Sequence, residues 1–128
     1  LCTRSSVLKV ARHVLELAEA YLRAEKYCTV VANIREESPE AVAHKMFSEI
    51  NLGGLQGPTI SRVITPGDGA DMCSVEVVVL KDKLVEVIHD LRSIGGSGVI
   101  VTPVSYVFEE EPERYEALLE KLGRKDHD

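Results

Sequence analysis

Between residues 27 and 108 the hydrophobic pattern switches repeatedly between a period of two and a helical period, and the order of the switches limits the fold to very few topologies. "YCTVVANI" (Tyr27–Ile34) is rich in β-branched residues and predicts a buried strand. "ESPEAVAHKMFSEI" follows as a helix. Ser38 can cap it, Pro39 suits its first position and Glu40 complements its dipole, with Ala43, Met46, Phe47 and Ile50 expected inward. "TISRVI" (59–64) reads as a second strand and "TPGDGAD" as a hairpin loop. "MCSVEVVVL" alternates, placing Cys73, Val75, Val77 and Val79 on one face. A helix expected to be capped by Asp82 then presents Leu84, Val87, Ile88 and Leu91, and "GVIVTPVSYVF" reads as the fourth strand. Pro103 cannot donate to a ladder and belongs at an edge or where pairing stops.

The order β-α-β-β-α-β predicts an α+β, ferredoxin-like (ACT-like) sandwich, with both helices on one face of a four-stranded antiparallel sheet. Val and Ile are too frequent for both sheet faces to be wet, so the open face is expected to meet a partner surface. Two helices flank the sandwich. The first, from about residue 7 to 24, gathers Val7, Val10, Ala11, Val14, Leu17, Ala18, Tyr21 and Leu22 on one face that needs cover, with Ser5 or Ser6 as cap. The second is short, begins near Pro112 and offers Tyr115, Leu118, Leu119 and Leu122. The expected division is therefore 1–25, 26–110 and 111–128. The chain starts at Leu1 rather than Met, and a helical pattern begins within the first few residues, which reads as a piece of a longer polypeptide.

Composition excludes several functions. The net charge is −6, and the basic residues are scattered, so no stripe suits a nucleic-acid backbone. Only two Phe and four Tyr occur, too few for the stacking platform of an RNA-recognition domain. No apolar run is long enough to span a bilayer. Cys2, Cys28 and Cys73 have no metal-ligand or disulfide framework spacing, which suggests a reducing compartment, and no metal site is expected. His13, His44, His89 and His127 are dispersed and read as surface residues. No catalytic residue emerges. "GDG" (67–69) lies between strands rather than before a helix, so it reads as a turn. "EEEPE" (109–113) reads as a solvated helix start.

Two segments carry more glycine than their elements require. "LGGLQGPTIS" (52–61) combines glycines with the Thr59 hydroxyl at a strand start. "IGGSGVIV" (94–101) needs one glycine, Gly95, to end a helix, which leaves Gly96 and Gly98 to explain. Tight packing of two loops would account for them. So would a groove in which strand-start amides and carbonyls meet the ammonium and carboxylate groups of an amino acid, with Thr59 and Gly98 converging on one slot.

Together "CTVVANIREESPEAVA", "NLGGLQGPTIS" and "LRSIGGSGVIVTPVSYVFEEE" resemble the C-terminal part of the long-form ATP phosphoribosyltransferase family, in its plant, algal or related bacterial version. The family joins ATP to phosphoribosyl pyrophosphate with Mg²⁺ at the opening of histidine biosynthesis. Its phosphate-binding loop has no counterpart here. The resemblance therefore implies the end of the catalytic region followed by a regulatory domain, with no activity, bound Mg²⁺ or site for either substrate in this piece. It implies L-histidine as allosteric ligand for feedback inhibition and other subunits, in a dimer or hexamer, as partners. The implied compartment is the cytoplasm, or the plastid stroma for a plant or algal source. Carried over by position, the histidine contacts fall at Asn33, Leu55, Thr59, Val77, Val78 and Gly98. Some relatives have Asp where Asn33 stands, and the neutral amide lacks that charge. The competing expectation is a structural oligomerisation domain of the same fold without a ligand.

Overall fold

The computed structural model describes residues 3–50, 55, 57–67, 71–109 and 113–123. The chain divides into two compact units, Lys26–Val104 and the helical pair formed by Leu1–Glu25 with Ser105–Asp128.

The first unit contains β1 (Tyr27–Ile34), α2 (Pro39–Glu49), β2 (Thr59–Arg62), β3 (Cys73–Leu80), α3 (Leu84–Ser93) and β4 (Gly96–Pro103). Its sheet is antiparallel throughout, in the order β2-β3-β1-β4. This is the ferredoxin-like arrangement expected from the pattern. Strict alternation builds its core. Cys28, Val30, Ala32 and Ile34 of β1 and Cys73, Val75, Val77 and Val79 of β3 are all buried. They pack with Val42 and Met46 of α2 and Val87 and Leu91 of α3. Full burial of a side chain such as Leu91 contributes about 1.5–3 kcal/mol.

The opposite face is more polar than the Val and Ile content suggests, because most of the valines of β1 and β3 point inward. The cross-strand register sets Ser61, Ser74, Asn33 and Ser97 in one row and Thr59, Glu76, Val31 and Ile100 in the next. Both edge strands are mostly exposed, and Ile100 and Val101 of β4 are the large apolar residues left in the open there.

Several local expectations change. Ser38 caps α2 by accepting from the Ala41 amide at 3.2 Å, as read, but Val42 turns inward and Phe47 is 74% exposed. Asp82 caps nothing: it lies within a 3-10 turn, Lys81–Lys83, and α3 starts at Leu84 without a side-chain cap. The fourth strand begins at Gly96 rather than Gly98 and ends at Pro103, on an edge. The second strand stops at Arg62. Asp68, Gly69 and Ala70 of the hairpin loop lie outside the described residues, as do Asn51 to Gly54.

The helical pair consists of α1 (Arg4–Ala24) and α4 (Glu113–Lys121). Thr3, not Ser5 or Ser6, caps α1 by accepting from the Ser6 amide at 3.1 Å. Tyr115 and Leu119 of α4 bury themselves against Leu8, with Leu15 and Leu118 beside them. Glu19 accepts from the Arg114 amide, and Arg12 stacks its guanidinium on the Tyr115 ring. The segment before α4 is tied to α1 by the Val107 amide on the Ala20 carbonyl and by Arg23 on the Val107 carbonyl. The stripe Val7, Val10, Val14, Leu17 and Tyr21 is not the face that α4 covers; each of these residues is at least half exposed.

Candidate functional site

The six positions carried over for ligand contact fall into two groups. Leu55, Thr59, Val77 and Val78 line one pocket of about 250 Å³, together with Gly57 and Glu76. The pocket exists because β2 begins at Thr59, opposite Glu76, while β3 continues past it to Leu80. The edge of β3 beyond Glu76 is therefore not covered by β2. Leu55 lies along it instead, its amide donating to the Val78 carbonyl at 3.0 Å. Gly57, at φ +89, takes a left-handed conformation that favours glycine. Val77 faces the core and Val78 the open face, so the pocket runs along a strand edge rather than lying on one face. Backbone groups of one strand residue point to the same side. The Val78 N–H is thus turned toward the pocket with its carbonyl.

Asn33 and Gly98 form the second group. They lie on β1 and β4, and a Cβ built on Gly98 would sit 3.9 Å from the Asn33 side-chain nitrogen. β3 and β1 separate β2 from β4. At about 4.8 Å per strand spacing, Thr59 and Gly98 are some 14 Å apart across the sheet. Within one chain they do not converge on a slot for one amino acid.

The surplus glycines have local causes. Gly95 ends α3 with φ +92, as read. A Cβ on Gly96 would meet the Leu91 carbonyl oxygen at 2.5 Å, so the strand start passes too close to the end of α3 for any side chain. Gly98, at φ +58, sits where the β1–β4 register shifts between Val31 and Asn33, as in a bulge built on a left-handed glycine. Valine at position 98 would strain that bulge directly, so a binding loss in Gly98→Val would not isolate ligand contact.

The pocket's size is just below the roughly 300–1,000 Å³ typical of drug-sized ligands and suits a metabolite as small as an amino acid. Sequence reasoning marked the glycines of 52–61, Gly57 among them, but missed Glu76. Glu76 was legible as the residue between Val75 and Val77 on the polar side of β3, but only the pairing with Thr59 places it at the pocket. A larger groove of about 810 Å³ runs along the helical pair, lined by Val7, Val10, Val14 and Leu118 among others. Its walls are apolar, which suits packing against protein more than capture of a polar metabolite.

The remaining chemistry is structural. Burial raises the Cys28 and Cys73 thiols above their ordinary range, with Lys81 and Arg62 respectively opposing that shift. Glu36 is held below the usual carboxylate range chiefly by its hydrogen bond from Lys45, whose ammonium is raised in turn. Among the described residues, no three His, Cys, Asp or Glu side chains come together as metal ligands, and no helix is long and apolar enough to cross a membrane.

Comparison with known proteins adds a separate observation. The family described as "HisG, C-terminal domain" matches residues 24–106. Two Arabidopsis thaliana relatives are ATP phosphoribosyltransferase 2, chloroplastic, 42% identical over 96% of this chain, and ATP phosphoribosyltransferase 1, chloroplastic, 41% identical over 94%. A Methanopyrus kandleri ATP phosphoribosyltransferase is 33% identical over 75% of the chain. The chain spans only 30% of the length of either plant relative. A solved structure of Arabidopsis thaliana PII bound to citrate is 28% identical, covers 66% of this chain and 83% of its own, and superposes with a TM-score of 0.48.

Proposed function

Because the chain belongs to the HisG C-terminal domain family, we propose that it is the regulatory part of an ATP phosphoribosyltransferase and binds histidine for feedback inhibition. The observation that carries the reading is the pocket at the β2–β3 edge, which gathers Leu55, Thr59, Val77 and Val78 from two segments far apart in sequence. In this reading the Thr59 hydroxyl and the Val78 N–H meet the ligand's polar groups, and Leu55 and Val78 flank its ring. Catalysis, Mg²⁺, ATP and phosphoribosyl pyrophosphate belong to the remainder of the parent protein, of which α1 is the end. The plant relatives' chloroplast naming extends here to a plastid setting.

Asn33 and Gly98 fit the same ligand only if a second copy supplies them. They lie beside one open edge of the sheet, and the pocket lies at the other. Two chains meeting edge to edge would bring the groups together, and each bound histidine would then favour assembly. Feedback requires no more than this differential affinity, and a coupling of about 1–3 kcal/mol is ordinary. Calorimetric titration with L-histidine tests the reading, with saturable binding expected. A flat titration refutes it and leaves the structural oligomerisation domain, which the exposed Ile100 and Val101 on the β4 edge also favour.

A further inference from the structure

We infer that Glu76 is the residue that selects a ligand carrying an α-ammonium group at the β2–β3 pocket, a step that rests on the histidine-binding reading above. A free amino acid brings one cation at neutral pH, its ammonium, since its imidazole is then mostly uncharged. A pocket that prefers it over analogues lacking the ammonium needs an anion. None of the six carried-over positions supplies one: Asn33, Leu55, Thr59, Val77, Val78 and Gly98 are all uncharged. Among the described residues that line the pocket, Glu76 is the one that is ionisable.

Its placement suits the task. Glu76 pairs directly with Thr59 across β2 and β3, so their side chains share the open face. Val78, two residues along the same strand, leans to the same side. Among the described residues Glu76 makes no ion pair, and no fold contact employs its carboxylate. An ammonium drawn to Glu76 leaves the ligand's carboxylate within reach of the Thr59 hydroxyl and the Val78 N–H, and its ring against Leu55. The three ligand groups thereby find three chemically matched walls.

The test compares L-histidine with imidazole propionate, which lacks the ammonium, on the full chain and on Glu76→Gln. The substitution keeps size and exposure, so the melting temperature should not move. Wild type should bind histidine more tightly than the deaminated analogue. Glu76→Gln should weaken histidine by about 10- to 100-fold, the range of a hydrogen bond to a charged group, and should not weaken the analogue, an anion that Glu76 repels. Histidine affinity unaltered in Glu76→Gln overturns the inference while histidine binding stands. Equal loss for both ligands also overturns it, because the residue then only shapes the pocket. Absence of histidine binding in wild type overturns this step and the reading beneath it together.

Discussion

Gly96→Ala should destabilise the sheet unit through a single close contact. The added Cβ would lie 2.5 Å from the Leu91 carbonyl oxygen, 3.0 Å from its carbonyl carbon and 3.4 Å from its Cβ. The obstacle is backbone at the end of α3, not a side chain that can swing away. Leu91 is fully buried, so α3 can retreat only by loosening the core among Val30, Val42 and Val87. Overpacking of this kind costs about 1–3 kcal/mol. With a urea m-value of about 1–3 kcal/mol/M for a small domain, the midpoint should fall by roughly 1 M at unchanged slope. Urea unfolding followed by circular dichroism measures it. Gly98→Ala makes a useful contrast, because its Cβ meets only ordinary contact at 3.9 Å and the cost comes from φ +58. Asparagine tolerates that conformation better than alanine, so Gly98→Asn should recover part of the loss. Gly96→Asn should recover none. A Gly96→Ala midpoint equal to wild type, or rescue of position 96 by asparagine, would refute the close-contact account.

Thr59→Ala should weaken histidine binding by about 0.5–1.5 kcal/mol, the net worth of one hydrogen bond, with the melting temperature unchanged because Thr59 is exposed. Native Cys28 and Cys73 should react slowly with a thiol reagent at neutral pH, since burial both hides them and raises their thiols, and quickly once urea unfolds the chain. The Glu36–Lys45 pair should steepen acid unfolding. The Glu36 carboxyl is lowered in the fold, so its contribution is complete above the ordinary carboxylate range and is lost as pH falls through the lowered value. Lys45, shifted upward, loses its contribution only in strong alkali. Glu36→Gln should therefore lower stability slightly at neutral pH, leave strongly acid pH nearly unchanged, and so flatten the acid limb of a stability–pH curve.

The sequence revealed the elements better than their orientation. Tyr27–Ile34 and Cys73–Leu80 were readable because alternation of period two fixes both a strand and its buried face. Ser38 and Pro39 marked a helix start because a capping hydroxyl and a fixed φ act locally. The face of α2 was not readable: Val42 and Met46 compete with Ala43 and Phe47, one step of about 100° around the helix, and only the sheet decides between them. The same ambiguity hid Leu8 and Leu15 of α1 behind the more regular stripe from Val7 to Tyr21. Asp82 looked like a cap because the 3-10 turn that absorbs it has no pattern of its own.

The candidate site shows where pattern gives out. Both glycine-rich corners consist of a helix end, glycines and a strand start, and their likeness suggested that they meet. Sheet order forbids it, because in β2-β3-β1-β4 the two similar corners feed opposite edges. The consequence reaches beyond one misplaced contact. A pocket confined to the β2–β3 edge is complete within one chain and would bind without regard to assembly. A site that also draws on Asn33 and Gly98 needs a neighbour, and its apparent affinity must rise with protein concentration. Titrating histidine at two protein concentrations a hundredfold apart separates these cases. A constant affinity assigns Gly98 to the bulge and Asn33 to the polar row of the open face. A tighter affinity at the higher concentration makes the sheet's two open edges halves of one regulatory interface.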